Sequence, residues 1–320
     1  MRNKKNKKII TIVVITFLLL VSACGIFLNL DINFTQDILG LIAIDDIQKD
    51  EGIKTNYNYD FKSEDGNLNV YFINVGQADA ILINMGSEYA LVDAGSESTE
   101  EKLISYLSSF DITKFKYVFG THTHEDHIGG MDKIISNFEC ENIIFPNTMS
   151  TTISFERFID SVTKKNKHIT QAKAFDIYML GDAQIKVLWP NAVSTFDNQN
   201  NYSIVLKVTY KDVSYLLTGD MEVLVENELL KNNVDVSSDV LKVAHHGSLT
   251  STSVKFLNAV NPSYAIISVG ENNNYGHPNA KILERLSIRN IIVYRTDRNG
   301  TIISKTDGRN IKFTFEKGDI

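Results

Sequence analysis

Six of the seven histidines fall in three short stretches. His122, His124 and His127 share six consecutive positions with Glu125 and Asp126. His245-His246 close the run Lys242-Val243-Ala244, and His277 stands in Tyr275-Gly276-His277-Pro278. Only His168 is isolated, in the lysine-rich residues 164–168, and reads as a solvated surface residue. Imidazole and carboxylate are the ligand types that suit zinc, manganese or iron. Asp93 follows the apolar pair Leu91-Val92, and Asp220 closes Leu217-Thr218-Gly219. Any one of these groups is explained as readily by a helix cap or a satisfied core polar side chain. Together they predict one cleft that holds metal ions.

Such a cleft needs elements that end where the ligands begin. Tyr117-Val118-Phe119 reads as a strand delivering residues 121–130 in a tight loop, because residues two apart on a helix do not face each other. Strand-like runs precede it at 68–75, 78–84 and 89–93, with a helix at 98–110. Gly129-Gly130 predicts a sharp turn into a helix at 131–138. Beyond it come a strand at 143–145, a helix at 155–165 and a strand at 185–189. In the second half, 203–210 and 213–218 predict a hairpin turning at Lys211-Asp212. Helices follow at 221–231, 254–260 and 280–286, with strands at 240–244, 264–269, 291–294, 301–305 and 311–315. Two β-rich halves with helices between strands suggest an α/β fold of two sheets packed face to face, helices outside.

With these residues in place, the chain resembles the metallo-β-lactamase superfamily, whose His-x-His-x-Asp-His signature is matched by His122 to His127. It is more closely similar to the ComEC-like group, the extracellular domain of a bacterial DNA-uptake protein and its stand-alone relatives. That likeness rests on Phe72-Ile73-Asn74-Val75-Gly76-Gln77-Ala78-Asp79-Ala80, Leu91 to Gly95, Leu217 to Asp220, Lys242 to Ser248, Tyr275 to Pro278, and Thr296-Asp297 with Gly300. It covers roughly residues 68–315 and does not include the membrane channel found in the uptake protein. Two departures, Asn74 for an aspartate and Ala78 for a glycine, lie outside the ligand set.

The resemblance implies a four-layer αβ/βα sandwich of two mixed β-sheets flanked by helices, with two divalent metal ions, zinc or manganese, at one edge. His122 and His124 would bind the first metal, and Asp126 and His127 the second. Asp220 would bridge them, one of His245 and His246 would complete the second site, and Asp93 would orient a ligand from behind. Superfamily members usually add a third first-site histidine just before the strand at 203. Here that region reads Asn198-Gln199-Asn200-Asn201-Tyr202, as it tends to in the ComEC-like group. The first metal is thus short of a ligand unless the other member of the histidine pair, or Asn201, contributes. Two cations about 4 Å apart hold a bridging hydroxide and clamp the attacked group. Asp126 would orient that hydroxide and His277 would serve the leaving oxygen. Lys242, Ser248 and the Gly247 amide would bind a phosphate oxygen.

At the N-terminus, Arg2, Lys4, Lys5, Lys7 and Lys8 precede an apolar run at 9–21, the pattern of an export signal. Val21-Ser22-Ala23-Cys24 resembles a bacterial lipobox, which predicts cleavage before Cys24 and a lipid on its thiol. The alternative is an uncleaved transmembrane helix over 9–30. Either places the body outside the cytoplasm on a membrane anchor. Residues 1–30 are thus expected to be signal or anchor, 31–67 an acidic spacer with one short helix near 38–44, and 68–318 the hydrolase domain. Cys140 is the only other cysteine and reads as a buried small hydrophobe. The net charge is −7. Without the five cations ahead of residue 9 the remainder is at about −12, which opposes a broadly basic nucleic-acid-binding surface.

The substrate expected first is a phosphodiester, as in a nuclease, with Lys242, Arg285, Arg289, Arg295 and Arg298 as a local basic strip. The alternative is a cell-wall phosphodiesterase acting on teichoic acid or phosphocholine, with Tyr202 or Tyr275 in an aromatic cage for the quaternary ammonium. A non-catalytic surface module on the same fold is the rival of another class, and β-lactamase activity is a weaker expectation. The sequence identifies no protein partner.

Overall fold

Every residue of the first two strands, β1 (Leu68–Phe72) and β2 (Ile81–Met85), is buried, as expected for strands covered on both faces. The structure, a computed structural model, describes residues 66–191 and 195–316. The expected export signal or anchor and nearly all of the acidic spacer lie outside the described residues. Among the described residues, no helix is long and apolar enough to cross a membrane.

The first half continues with β3 (Glu88–Val92), α1 (Glu100–Ser108), β4 (Lys114–Phe119), α2 (Glu125–Ile128), α3 (Met131–Asn137), β5 (Glu139–Phe145), α4 (Ile153–Lys164) and β6 (Ile169–Gln171). The second half carries β7 (Ile177–Leu180), β8 (Ala183–Trp189), β9 (Val205–Tyr210), β10 (Val213–Leu217), α5 (Val223–Lys231), β11 (Val240–Lys242), α6 (Val254–Val260), β12 (Tyr264–Ile267), α7 (Ala280–Ser287), β13 (Ile292–Arg295) and α8 (Thr296–Asn299). The last strands, β14 (Ile302–Thr306) and β15 (Ile311–Phe315), return to the first sheet, whose order is β15-β14-β1-β2-β3-β4-β5-β6. The second sheet has the order β13-β12-β11-β10-β9-β8-β7. Both sheets are mixed: β3 and β4 pair parallel, as do β10, β11 and β12, while the β9–β10 hairpin turning at Lys211-Asp212 is antiparallel. Residues Phe61–Ile320 form one compact unit.

Side-chain alternation sets the layers. Leu206, Val208, Val213, Tyr215 and Val240 face a core shared with Val70, Phe72 and Ile83 of the first sheet. Their strand neighbours Val205, Leu216 and Leu241 face the opposite way, onto Leu229, Phe256, Leu257, Ile282 and Leu286 of the helices. The expected α/β sandwich of two mixed sheets with helices outside is the observed fold. Cys140 is buried and its thiol is pushed up to about 12 by that burial, so it behaves as the small apolar residue expected.

Four local readings need correction. β6 and β7 were not expected: β6 has only three residues, and β7 is an apolar run of four, Ile177 to Leu180, that leaves Ile177 and Met179 exposed. The expected tight loop at 121–130 contains a helical turn, α2, in which the Ile128 and Gly129 amides bond the His124 and Glu125 carbonyls. His122 and His124 precede that turn and Asp126-His127 sit on it, so the ligand types straddle a boundary rather than share a loop. The glycine pair after it makes no special bend, since Gly129 has φ −57° and Gly130 φ −93°. They are glycines for close approach. A Cβ on Gly129 would lie 2.4 Å from the Glu97 amide nitrogen, and one on Gly130 would lie 2.5 Å from the Ala94 carbonyl oxygen.

Candidate metal centre

The ligand-type residues follow the C-terminal ends of parallel strands. Asp93 comes directly after β3 and His122 three residues after β4. Asp220 and His245 each come three residues after β10 and β11. Parallel strands present these ends along one edge, so the two sheets bring their loops to a common cleft.

Four side chains converge there. Ligand atoms of Asp126, His127, Asp220 and His246 all lie within 4.8 Å of one another. His127 Nε2 is 3.3 Å from Asp220 Oδ1. His246 Nε2 is 3.2 Å from Asp126 Oδ2 and 3.7 Å from Asp220 Oδ2. Three of the four residues are held from behind. The Asp93 carboxylate meets His127 Nδ1 at 2.7 Å and also accepts the Thr121 amide and hydroxyl. The Ser268 carbonyl meets His246 Nδ1 at 2.8 Å, and the Asp220 amide donates to Ser203 Oγ at 3.0 Å. Such outer partners fix which ring nitrogen faces inward.

Charge and burial compete strongly at this point. Burial opposes a proton on His127, yet Asp220, Asp93 and Asp126 together outweigh it and hold the ring well above the usual histidine range. Burial likewise opposes ionised Asp220, and His127 and His246 reverse that, leaving its carboxyl well below the usual range. His122 has burial and its neighbour His127 both against a proton, so it stays well below. His127 Nε2 and Asp220 Oδ1 are buried without a hydrogen-bond partner despite their closeness. Two imidazoles and two carboxylates around orphaned buried atoms are a donor set that fits a divalent cation.

The remaining sequence candidates are placed as follows. His122 Nε2 lies 3.0 Å from His124 Nδ1, the two rings partnering each other. Among the described residues, no cluster of three or more ligand atoms includes either of them. His245 stands beside Asp220 Oδ2 at 3.7 Å and Glu222 at 3.7 Å. Asn201 Oδ1 accepts the Glu222 amide and its carbonyl accepts Trp189 Nε1, so it braces the loop. Ser248 Oγ is tied to Thr250 at 3.1 Å. The His277 ring centroid is 5.7 Å from that of His245 and 5.8 Å from that of Tyr275, on which it stacks. Burial, then His245 and His246, lowers the His277 pKa.

The expectation for Lys242 needs correction. Its side chain is 0% exposed and its Nζ is 2.8 Å from Asp79 Oδ2, because β11 turns this position inward; it cannot reach a substrate phosphate. The basic strip is not formed either. Arg285 donates to the Ser251 and Thr252 carbonyls, Arg289 to Asn258, and Arg295 to Asp297. Asp79 is the residue that the sequence did not disclose. It lay inside the quoted motif, but nothing in its spacing ties it to a lysine 163 positions away.

Fold and centre together define the class, and comparison with known proteins agrees. The sequence model of the metallo-beta-lactamase superfamily matches residues 73–271, and the chain belongs to that superfamily, most of whose members are hydrolases. ComE operon protein 3 of Bacillus subtilis is 32% identical over 262 residues, 76% of this chain and 33% of that protein. Competence protein ComA of Neisseria gonorrhoeae is 27% identical over 229 residues, covering 71% and 30%. Recombination protein 2 of Haemophilus influenzae is 30% identical over 235 residues, covering 72% and 28%. The chain spans about a third of the length of these curated relatives. The metallo-beta-lactamase fold protein YhfI from Bacillus subtilis superposes with a TM-score of 0.52 at 12% identity, over 75% of this chain and 100% of that one, which shows the fold. Family and residue clusters point to a binuclear site for divalent cations.

Proposed function

We propose that this protein is a metal-dependent hydrolase of phosphodiesters, acting on nucleic-acid strands. The observation that carries it is the convergence of Asp126, His127, Asp220 and His246 within 4.8 Å at a cleft whose rim is aromatic. These four would hold one cation, and His122, His124 and His245 would hold the other, with Asp220 between them. Cations bound there supply Lewis acidity, making water a better nucleophile near neutral pH and neutralising charge on the attacked phosphate. The protein's own groups do the positioning. Asp93 keeps the Nδ1 of His127 occupied, so its Nε2 faces the cleft. Ser268 does the same for His246. Asp126 Oδ2, 3.2 Å from His246 Nε2, is placed to accept a hydrogen bond from the attacking water and so orient it. His277, whose Nδ1 is buried without a partner, is the imidazole left to hydrogen-bond the leaving oxygen.

The relatives' names, competence and recombination, favour nucleic acid over a cell-wall polymer. The rim supports the same preference. Tyr275 is 73% exposed and stacks on His277, offering one flat face to a base. The Tyr202 ring is turned edge-on to Phe196 and its hydroxyl accepts the Phe196 amide, so the two tyrosines do not form the cage a choline head group requires. We also propose an extracytoplasmic, membrane-anchored location, supported by the basic and apolar residues of 1–21 and by Cys24. Mass spectrometry of the mature N-terminus distinguishes a lipidated Cys24 from an intact anchor.

The test is turnover of bis(p-nitrophenyl) phosphate and of single- and double-stranded DNA with zinc or manganese added. Metal-stimulated cleavage is expected, and a fully metal-loaded protein that turns over none of them overturns the reading. Because Lys242 and three of the arginines are bound internally, DNA affinity should depend only weakly on salt. A log–log slope no steeper than about −1.5 is expected, equivalent to two phosphate contacts on a single strand.

A further inference from the structure

The two halves of the centre come from different sheets: Asp126 and His127 from the first, Asp220 and His246 from the second. Something must fix their separation. Directly behind them lies an ion pair shut off from water, Asp79 at 1% and Lys242 at 0% exposure, 2.8 Å apart. Asp79 sits between β1 and β2 of the first sheet, and Lys242 ends β11 of the second, three residues before His245. The Asp79 amide donates to the Asp126 carbonyl at 3.0 Å, and its carbonyl accepts the Gly95 amide at 2.8 Å. Asp79 Oδ1 has no hydrogen-bond partner and lies 3.7 Å from His246 Nδ1. Its carboxylate also falls within 4.8 Å of the ligand atoms of Asp93 and His127. Lys242 Nζ has a second bond to the Val243 carbonyl at 3.1 Å. The same loop is docked again two residues earlier, where the Gly270 amide donates to Gln77 Oε1 at 3.0 Å. There a Cβ on Gly270 would lie 2.7 Å from the Gln77 nitrogen.

A buried ion pair is a poor way to gain stability, since apolar replacements of similar volume are often neutral or better. Its best-attested benefit is to fix one arrangement among several. We propose that Asp79 and Lys242 are positioning residues, a clasp between the sheets that sets the spacing of Asp126 and His127 against His246. The clasp holds Asp126 through its backbone, and His246 through the strand that Lys242 ends. It touches no substrate, and it rests only on the metal-centre part of the proposed function, whatever the substrate proves to be.

The test reads metal directly. Asp79→Asn keeps the size of the side chain and a hydrogen bond to Lys242 but removes the charge. Asp79→Leu with Lys242→Met replaces the pair with apolar groups. Glu226→Gln serves as a control for general destabilisation. Glu226 is a buried carboxylate that accepts the Thr252 and Ser253 amides, away from the clasp. Each protein is titrated with zinc against a chromophoric chelator, and its cobalt-substituted form is examined by visible absorption. Both clasp variants should weaken the tighter zinc step 10–100-fold, the range found for partners behind metal ligands. They should also shift the cobalt bands, while the control leaves both unchanged. Wild-type affinity and bands in Asp79→Asn overturn the clasp, whether or not the double variant folds. A wild-type protein that binds no divalent metal overturns both the clasp and the metal centre. Metal binding without phosphodiesterase activity leaves the clasp standing and removes the substrate assignment alone.

Discussion

The two sides of the metal centre are built unequally. On the His127 side three of the four ligand-type residues are held from behind: His127 by Asp93, His246 by the Ser268 carbonyl and Asp220 by Ser203, which accepts its amide. On the other side His122 Nδ1 also has partners behind it, the Thr121 and Ser203 hydroxyls at 3.1 and 3.4 Å, but its Nε2 faces His124 Nδ1 at 3.0 Å, so the two would-be ligands occupy one another. A cation entering the first side meets groups already aimed at it. One entering the second must separate a pair of rings and recruit His245, which itself lies near Glu222 and Thr250. The difference teaches that a partner behind a ligand is not enough: preorganisation here also needs the inward ring nitrogen left free of another ligand. It predicts two metal ions bound in sequence, the tighter on the His127 side.

The largest effect is expected where the sides meet. Asp220 Oδ1 reaches His127, and Oδ2 lies 3.7 Å from both His245 and His246. Asp220→Ala should remove metal from both sides and lower kcat/KM by at least about 1,000-fold, about 4 kcal/mol of transition-state stabilisation. Inductively coupled plasma mass spectrometry of the purified variant checks the first part. One tightly held metal remaining would show that the sides are independent, and the comparison would have to be redrawn.

Much of this centre was legible because its ligands are dense in sequence. His122 to His127 announced a metal site, and strand-terminal Asp93 and Asp220 pointed to the same edge. Short apolar runs made most strands visible, and the sandwich followed from two β-rich halves with helices between the strands. Legibility failed where meaning lay in the third dimension. Gly129 and Gly130 suggested a turn, yet their φ values are ordinary and the Glu97 and Ala94 backbones explain them. Lys242 read as a substrate cation from its neighbourhood alone, three residues before His245. Only the pleat of β11 turns it inward onto Asp79. The arginines at 285, 289 and 295 read as a basic strip because sequence gives their charge but not the carbonyls and carboxylates that occupy it. The choice between His245 and His246 stayed open for the same reason. Both have left-handed backbones, φ 51° each, and only the packing turns His246 toward Asp126.

A finer test of the asymmetry removes one ligand from each side. Loss of a ligand should exceed the 10–100-fold that loss of its outer partner costs. His246→Ala should therefore weaken the tighter zinc step by more than about 100-fold. His122→Ala should leave that step within about threefold and abolish the weaker one. Competition titrations separate the two steps. The reverse pattern would mean that the mutual His122–His124 contact organises its side instead of blocking it.

The smallest expected effect comes from Asp93→Asn. Oδ1 of Asp93 accepts the Thr121 amide, while Oδ2 takes the Thr121 hydroxyl and His127 Nδ1. An asparagine cannot satisfy all three. With its oxygen toward the Thr121 amide, its NH2 faces His127 Nδ1, forcing the ring to the tautomer that carries its hydrogen on Nε2, the atom meant for the metal. With the oxygen toward His127, the NH2 confronts a backbone N–H, and a buried donor is left unpaired. Either choice should weaken the tighter step about 10–100-fold and leave the weaker step alone. If the tight step is unchanged, Asp93 serves only to anchor Thr121, and the inequality of the two sides must lie in the ligands themselves.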